Sequence, residues 1–235
     1  MSPFIGEFIG TALLIIMGDG VVANVLLNKT KGNNAGWIVI TFGWAMAVFI
    51  GVYVSTHFGG SGHLNPAVTL ALALFGDFDT SLIGTYIAAQ FAGAIAGAII
   101  VWVAYKQHFD ETENKDLKLA VFCTAPAIRN PLFNLLTEII GTFVLVFGAL
   151  SMSKSAQTLG ALDALPVGLL VLAIGLSLGG PTGYAINPAR DLGPRIAHFI
   201  LPITNKRDSD WGYSLIPVIG PVIGGLMAAY VFKAF

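Results

Sequence analysis

Two asparagines carry the chemistry that this sequence suggests, because each opens an Asn-Pro-Ala motif after a bent, glycine-containing segment. Asn65 follows Gly62-His63-Leu64, and Asn187 follows the corresponding segment in the second half of the chain. Asparagine is a favoured helix N-cap and proline is tolerated in the first turn, so each motif predicts a helix start. The positive end of a helix repels cations, and an amide there can donate to the oxygen of a neutral solute. The predicted chemistry is therefore the binding and orientation of a small neutral molecule.

The apolar stretch after each asparagine is about half as long as a membrane-spanning helix. The first stretch ends at Phe75-Gly76-Asp77, and the second ends between Phe199 and Pro202. At ~1.5 Å per residue each helix covers ~15 Å, about half of a ~30 Å hydrocarbon core. Two such helices in corresponding places predict a site at the middle of a membrane. A water or hydroxyl passing both amides would turn its oxygen toward them, which interrupts a proton wire.

The composition is that of an integral membrane protein. Hydrophobic residues make up 55% of the 235 residues and charged residues 11%, and the mean hydropathy is +0.78. Soluble domains carry about 25% charged residues. The net charge of −1 does not favour nucleic-acid binding. Because Cys123 is the single cysteine and the four histidines lack a metal-ligand spacing, we expect no disulfide, metal or other cofactor.

Six stretches are long and apolar enough to cross a membrane. They are Phe4–Leu27, Trp37–Thr56, Ser81–Tyr105, Leu132–Met152, Leu165–Leu178 and Tyr213–Phe232. The fifth is short unless it extends back through Leu159 to Leu162. Together with the half-length helices, they predict an all-α membrane protein with six transmembrane helices and two half-spanning re-entrant helices.

The two halves of the chain repeat one another. Glu7 opens Glu-Phe-Ile-Gly-Thr in the first span, and Glu138 opens Glu-Ile-Ile-Gly-Thr in the fourth. We expect one transmembrane channel domain over 1–235, made of repeat one (about 1–105), a charged connecting loop (106–130) and repeat two (about 131–235). Three spans per repeat are an odd number, so the second repeat must insert upside down. This inversion would bring Asn65 and Asn187 together near the membrane centre.

The basic residues bear on which side of the membrane the termini lie. With cytoplasmic termini, the inner loops and tail would hold only Lys154 and Lys233, and the other basic loop residues would lie outside. Lysine and arginine are normally enriched in cytoplasmic loops. The charge count therefore predicts that the termini lie outside the cytoplasm.

The bent segments before the two motifs contain carbonyl groups that no helix can satisfy. In a membrane such backbone must be buried in protein or line a wet cavity. We expect a ladder of carbonyl acceptors on one wall with apolar side chains opposite, formed by Gly62, His63, Leu64, Gly183, Tyr184 and Ala185. The intramembrane carboxylates Glu7 and Glu138 fit two roles. Their repeated position favours support of each half's bent segment through its N–H groups, and the alternative is a proton relay.

Arg190 follows the second Asn-Pro-Ala motif, where the first motif has Val68 instead. An arginine in the first turn of a helix is badly placed for the helix dipole, so it needs another reason to be there. One reason is that it donates hydrogen bonds into a constriction and repels cations. The alternative is an arginine that snorkels to the surface or pairs with Asp191.

Together these residues resemble the aquaporin family over essentially all 235 residues. The paired Asn-Pro-Ala motifs, the repeated Glu-x-x-Gly-Thr and the inverted halves carry the resemblance. Asp191 directly after Arg190, followed by Gly193-Pro194-Arg195, is similar to the aquaglyceroporin (glycerol facilitator) branch. The resemblance implies a multi-pass protein of the cell membrane with cytoplasmic termini, against the charge count. It also implies a homotetramer with one pore in each subunit.

The resemblance further assigns four positions to a selectivity filter. Arg190 is fixed by its motif, and Tyr184 takes the aromatic position before Asn187. Gly175 takes the position where water-only channels usually have histidine, and its missing side chain would widen the constriction. The fourth position is Trp44, with Phe42 as the alternative. Residues two apart on a helix point ~200° apart, so only one of these two can face the pore.

The resemblance implies a passive channel, not an enzyme. Trp44 and Tyr184 would contact the C–H face of a polyol, while Arg190 and backbone carbonyls would bind its hydroxyl groups. The expected solutes are glycerol, water and other small neutral molecules, urea among them, with ions and protons excluded. The alternative is an ion-coupled secondary transporter of a small polar solute. It would need a coupling-ion site, and its candidates Asp19, Glu7 and Glu138 do not cluster with Arg190 in the sequence.

Overall fold

The computed structural model describes residues 2–75, 78–152 and 160–235, and every regular element within these ranges is helical. The α-helices are α1 (Pro3–Leu26), α2 (Trp37–His57), α3 (Pro66–Phe75), α4 (Ile83–Ala104), α5 (Lys106–Glu111), α6 (Lys115–Ala120), α7 (Pro131–Met152), α8 (Leu165–Leu178), α9 (Pro188–Ile200) and α10 (Ile216–Ala234). Single 3-10 turns precede α4 (Thr80–Leu82) and α8 (Gly160–Ala164). The all-α class is therefore confirmed.

The predicted spans correspond to α1, α2, α4, α7, α8 and α10. Five helices in the described ranges are long and apolar enough to cross a membrane, the third of them counted from Thr80 with its preceding turn. The sixth, α8, has 14 residues, and its 3-10 turn lengthens it toward the preceding segment. The predicted extension to Leu159, the basic residue Lys154 and the predicted stop at Gly76-Asp77 lie outside the described residues.

Helices α3 and α9 are the two half-length helices, with 10 and 13 residues. Asn65 Oδ1 accepts a hydrogen bond from the Ala67 N–H at 2.9 Å. Asn187 Oδ1 accepts from the N–H groups of Ala189 and Arg190 at 3.0 and 3.2 Å. These bonds satisfy N–H groups that have no partner inside the helix, so the predicted asparagine caps are confirmed.

Glycines let the long helices of each half approach backbone to backbone. A Cβ on Gly93 of α4 would lie 2.4 Å from the Phe8 carbonyl oxygen of α1, and a Cβ on Gly224 of α10 would lie 2.2 Å from the Ile139 carbonyl oxygen of α7. No side chain fits at either position without moving a helix. The two contacts occupy matching places in the two halves, so α1 meets α4 in the same way as α7 meets α10.

The connection between the halves is more ordered than the loop expected from its charge. It contains α5 and α6, and Asn114 caps α6 by accepting from the Asp116 N–H at 2.9 Å. Hydrogen bonds from Lys106 and Thr204 hold the pKa of Asp110 below its usual range. The connection therefore folds back against the segment that follows α9.

Each half-length helix packs against a long helix of the other half. Helix α3 lies against α10, and α9 lies against α4. This exchange fixes both half-length helices between the two repeats, with their N-terminal ends directed toward each other.

Candidate functional site

The two asparagines are joined by a reciprocal pair of hydrogen bonds. Asn65 Nδ2 donates to the carbonyl oxygen of Ile186 at 2.8 Å, and Asn187 Nδ2 donates to the carbonyl oxygen of Leu64 at 2.8 Å. Each asparagine therefore binds the residue that directly precedes the other. An amide nitrogen carries two N–H groups, so this pairing uses one and leaves a second donor on each side chain.

A cavity of about 230 Å³ runs past both asparagines. Its polar wall comes from the bent segments and the starts of the half-length helices, and includes His63, Leu64, Asn65, Ala185 and Asn187. Its apolar wall comes from the long helices, and includes Val48, Val52, Leu145 and Val171. A molecule with hydroxyl groups on one side and C–H groups on the other matches such a two-sided lining.

The bent segments adopt backbone conformations that side chains seldom allow. Leu64, Tyr184 and Ile186 have φ angles of 51°, 39° and 44°, in the left-handed region. Each such residue costs about 1–3 kcal/mol and persists only where its surroundings hold it. Hydrogen bonds from the bent segments to the buried carboxylates of Glu7 and Glu138 stabilise these conformations.

Glu7 binds the first bent segment from α1. One carboxylate oxygen accepts from the His63 N–H at 3.0 Å and the other from the Leu64 N–H at 2.8 Å. Ser55 and Gln90 donate to the same carboxylate at 3.1 and 2.8 Å. Sequence reasoning missed these two side chains because nothing in their spacing connects them to Glu7.

Glu138 binds the second bent segment from α7 in the same way. Its oxygens accept from the Ala185 N–H at 3.0 Å and the Ile186 N–H at 2.8 Å. Thr182 Oγ1 donates to it at 2.7 Å. Glu7 is 0% exposed and Glu138 is 1% exposed, so both carboxylates are enclosed and surrounded by donors of their own half.

Trp44, Tyr184 and Arg190 line the same cavity. The Arg190 guanidinium carbon lies 4.1 Å from the centroid of the Trp44 ring, within range of a cation–π interaction. The alternative residue Phe42 is 53% exposed and is not among the residues that line the cavity, whereas Trp44 is 4% exposed. The structure thus brings Trp44, and not Phe42, beside the arginine.

Gly175, the fourth residue expected at the filter, lies behind the Tyr184 ring. It is not among the residues that line the cavity. A Cβ on Gly175 would lie 2.9 Å from Cζ of Tyr184 and 2.9 Å from Cγ2 of Thr41, so the glycine makes room for the tyrosine ring. Trp37 Nε1 donates to the Gly175 carbonyl at 3.0 Å and its ring meets the Tyr184 ring edge to face. No sequence signal identified Trp37.

The predicted carbonyl ladder is only partly at the cavity. Gly62, His63, Leu64, Tyr184 and Ala185 line it, and Gly183 does not. A Cβ on Gly183 would instead lie 3.3 Å from Cγ2 of Thr124. The Leu64 carbonyl already accepts from Asn187, which leaves it one free lone pair for a solute.

Asp191 pairs with Arg195 and not with Arg190, so this part of the alternative for Arg190 is not observed. Its carboxylate accepts from Arg195 Nε and Nη2 at 3.0 and 2.8 Å. It also accepts from the Thr124 N–H and hydroxyl at 2.7 and 2.6 Å. Asp191 therefore ties α9 to the end of the connection between the halves.

The acidic residue that does lie near Arg190 is Asp19 of α1. Asp19 Oδ1 is 4.0 Å from Arg190 Nη1, and both side chains are buried. Asp19 does not cluster with Arg190 in the sequence, and the packing of α1 brings the two side chains together. Glu7 and Glu138 bind the bent segments instead.

Comparison with known proteins gives consistent matches over the whole chain. Residues 1–232 match the model of the family described as major intrinsic protein. The chain is 58% identical to the probable glycerol uptake facilitator protein of Thermotoga maritima over 99% of both chains. It is 52% identical to the glycerol uptake facilitator protein of Streptococcus pneumoniae over the full length of both. The aquaglyceroporin of Plasmodium falciparum superposes with a TM-score of 0.86 at 30% identity, covering 98% of this chain and 94% of that one.

Proposed function

The chain belongs to the major intrinsic protein family, and we propose that it is a passive membrane channel for glycerol and other small neutral solutes. The observation that carries this proposal is the reciprocal pairing of Asn65 and Asn187 beside a cavity with one polar and one apolar wall. The glycerol facilitators that resemble the chain over nearly its full length support the choice of solute.

A glycerol molecule would pass this cavity with its hydroxyl groups toward the bent segments. Its oxygens would accept from the second N–H of Asn65 and of Asn187, and its hydroxyl hydrogens would be donated to the carbonyl groups of His63 and Ala185. Its C–H groups would contact the apolar wall. These exchanges replace the hydrogen bonds that the solute loses on leaving water, which lowers the barrier without a chemical step.

The filter of this channel would be formed by Trp44, Tyr184 and Arg190, with Gly175 behind the tyrosine ring. Arg190 would donate to a hydroxyl group while the Trp44 and Tyr184 rings contact the carbon chain. Water is smaller than glycerol and is therefore expected to pass this filter as well. The arginine charge and the positive ends of α3 and α9 would repel cations.

Exclusion of protons would follow from the paired asparagines. Two donors on one side of the cavity would orient a passing water with its oxygen toward them. This orientation would interrupt the hydrogen-bonded chain of waters along which protons would otherwise be transferred. Glu7 and Glu138 would serve as supports of the bent segments rather than as proton relays, because loop donors occupy their oxygens.

The wider arrangement would be two inverted repeats in one domain, with four copies forming a homotetramer and one pore per subunit. Matching close contacts at Gly93 and Gly224 support the repeat. We infer cytoplasmic termini from the family, although the distribution of basic residues favours the opposite orientation.

Stopped-flow light scattering on proteoliposomes tests this function. Purified protein in vesicles should accelerate both osmotic water flow and glycerol entry over empty liposomes. An ion-coupled transporter would instead saturate at low glycerol concentration and accumulate glycerol when an ion gradient is imposed. The absence of flux above empty liposomes would contradict a channel of any kind.

A further inference from the structure

Asp19 is a buried carboxylate that the proposed pathway does not use. It lies within α1, is 0% exposed, and neither of its oxygens has a hydrogen-bond partner among the described residues. A buried acidic side chain without hydrogen bonds is costly, so it is retained only where another group compensates it.

Arg190 is the group that faces it. Arg190 Nη1 lies 4.0 Å from Asp19 Oδ1 and likewise has no hydrogen-bond partner among the described residues. The guanidinium group is permanently charged and 8% exposed. The buried carboxylate therefore needs a compensating cation and the buried guanidinium a compensating anion, and each side chain can supply what the other lacks.

The other carboxylate nearby is already occupied. Asp191 is directed to Arg195 and Thr124, which donate to both of its oxygens. Asp191 therefore neutralises Arg195, and Asp19 is the carboxylate that lies close enough to neutralise Arg190.

The packing around Arg190 holds it at this distance. A Cβ on Gly18 would lie 2.2 Å from Cζ3 of Trp44, so the indole ring rests directly on α1. The Arg190 guanidinium stacks on the same indole ring at 4.1 Å. The neighbouring residues Gly18 and Asp19 of α1 therefore lie against the Trp44 ring and the Arg190 guanidinium, respectively.

We propose that Asp19 is the counter-ion and positioning residue of Arg190, and that its negative charge keeps the filter from favouring anions over neutral solutes. The inference rests on the proposed channel function and concerns the same filter. An uncompensated guanidinium would attract small anions into the opening. With Asp19 behind it, Arg190 still presents hydrogen-bond donors to a solute at the cavity, but its attraction for anions is weakened.

The test compares chloride and glycerol entry in proteoliposomes. Chloride is followed with an encapsulated halide-quenched fluorophore, with valinomycin and potassium present to dissipate the membrane potential, and glycerol is followed by light scattering. For Asp19→Asn the chloride-to-glycerol ratio should rise about tenfold over the unmodified protein, since the Arg190 guanidinium is then left without a counter-ion. The matched control is Asp116→Asn, a change of the same kind at an exposed ion pair with Arg207, which should leave the ratio unchanged.

A second background separates a counter-ion from a general packing role. In Arg190→Ala protein, adding Asp19→Asn should not raise the chloride-to-glycerol ratio further, because no guanidinium remains to be neutralised. An equal rise in both backgrounds, or no rise with Asp19→Asn alone, would overturn the proposal.

Thermal unfolding in detergent gives a readout that does not depend on transport. Arg190→Ala leaves the Asp19 carboxylate buried without a cation, so the double variant should have a higher midpoint than Arg190→Ala alone. A lower midpoint for the double variant, or additive losses, would contradict the pairing, and this comparison holds even if Asp19→Asn alone folds poorly.

The transport assays distinguish failure of the channel function from failure of the counter-ion role. If the unmodified protein shows no glycerol flux, the channel function fails. If glycerol flows and the chloride-to-glycerol ratios stay constant, only the counter-ion role fails.

Discussion

The side-chain amide of Asn187 donates a hydrogen bond to the carbonyl oxygen of Leu64 at 2.8 Å, joining residues that lie in opposite halves of the chain. The same asparagine caps α9 through its oxygen, so one side chain both starts a half-length helix and connects it to the other. Asn65 makes the equivalent bond to Ile186. The junction therefore depends on amide groups, which can accept and donate at the same time.

Replacing Asn187 with aspartate tests the donor part of this junction. Asn187→Asp keeps the capping oxygen but removes the N–H groups and places a negative charge at the cavity, so glycerol flux should fall by tenfold or more. The loss of a buried hydrogen bond should also destabilise the protein by about 1–3 kcal/mol, measured by thermal unfolding. The control is Asn114→Asp, the same change at the cap of α6, where the side chain only accepts and flux should be unaffected. Normal glycerol flux in Asn187→Asp would contradict the role of its amide.

Enlarging Gly175 tests the space around Tyr184. Gly175→His should reduce glycerol flux much more than water flux, because the new side chain would push the Tyr184 ring into the opening. Stopped-flow light scattering with each solute in turn measures the ratio. Gly212, where an added Cβ meets no neighbouring atom within 4 Å, provides a control for replacing a glycine by histidine. Equal losses for glycerol and water would indicate a folding defect rather than a narrowed filter.

Comparing Trp44 with Phe42 tests which aromatic residue belongs to the filter. Trp44→Ala removes a ring that contacts Arg190 and should let bulkier polyols through, with entry of a four- or five-carbon polyol rising several-fold relative to glycerol. Phe42→Ala removes a ring that is 53% exposed and should leave this ratio unchanged. A change in selectivity with Phe42→Ala, and none with Trp44→Ala, would reverse the assignment.

Changing Glu138 separates support of the bent segment from proton transfer. Glu138→Gln replaces one accepting oxygen with an amide that faces N–H donors, which should cost about 1–3 kcal/mol of stability. Glycerol flux should fall with the amount of folded protein, and the solute preference should not change. Proton leak across the vesicle membrane is followed with a pH-sensitive dye. If Glu138 were a proton relay, Glu138→Gln would change the rate of this leak and leave the stability unchanged.

Much of the fold was predictable because it depends on local patterns. Apolar stretches of membrane length predicted the long helices, and the Asn-Pro motifs predicted the caps of α3 and α9 within a residue. Glu7 and Glu138 were predicted as supports of the bent segments because they repeat at matching positions. The family resemblance added the residues of the filter.

The contacts that sequence reasoning missed join residues far apart in the chain. Trp37 donates to Gly175, and Asp19 faces Arg190, without any spacing that would connect them. Such pairs exist only once the spans have packed, and their partners are buried side chains on different helices. The helices of the connection were missed for a different reason, since charged six-residue segments have too few apolar residues to show a helical period.

The most direct test of the central claim follows the uptake of radiolabelled glycerol into proteoliposomes to equilibrium, with and without sodium and proton gradients. The passive channel predicts that uptake is faster than in empty liposomes and ends at equal internal and external concentrations in every condition. It also predicts that Asn187→Asp slows the approach to this end point without changing it. Accumulation of glycerol above the external concentration under either gradient would contradict the account.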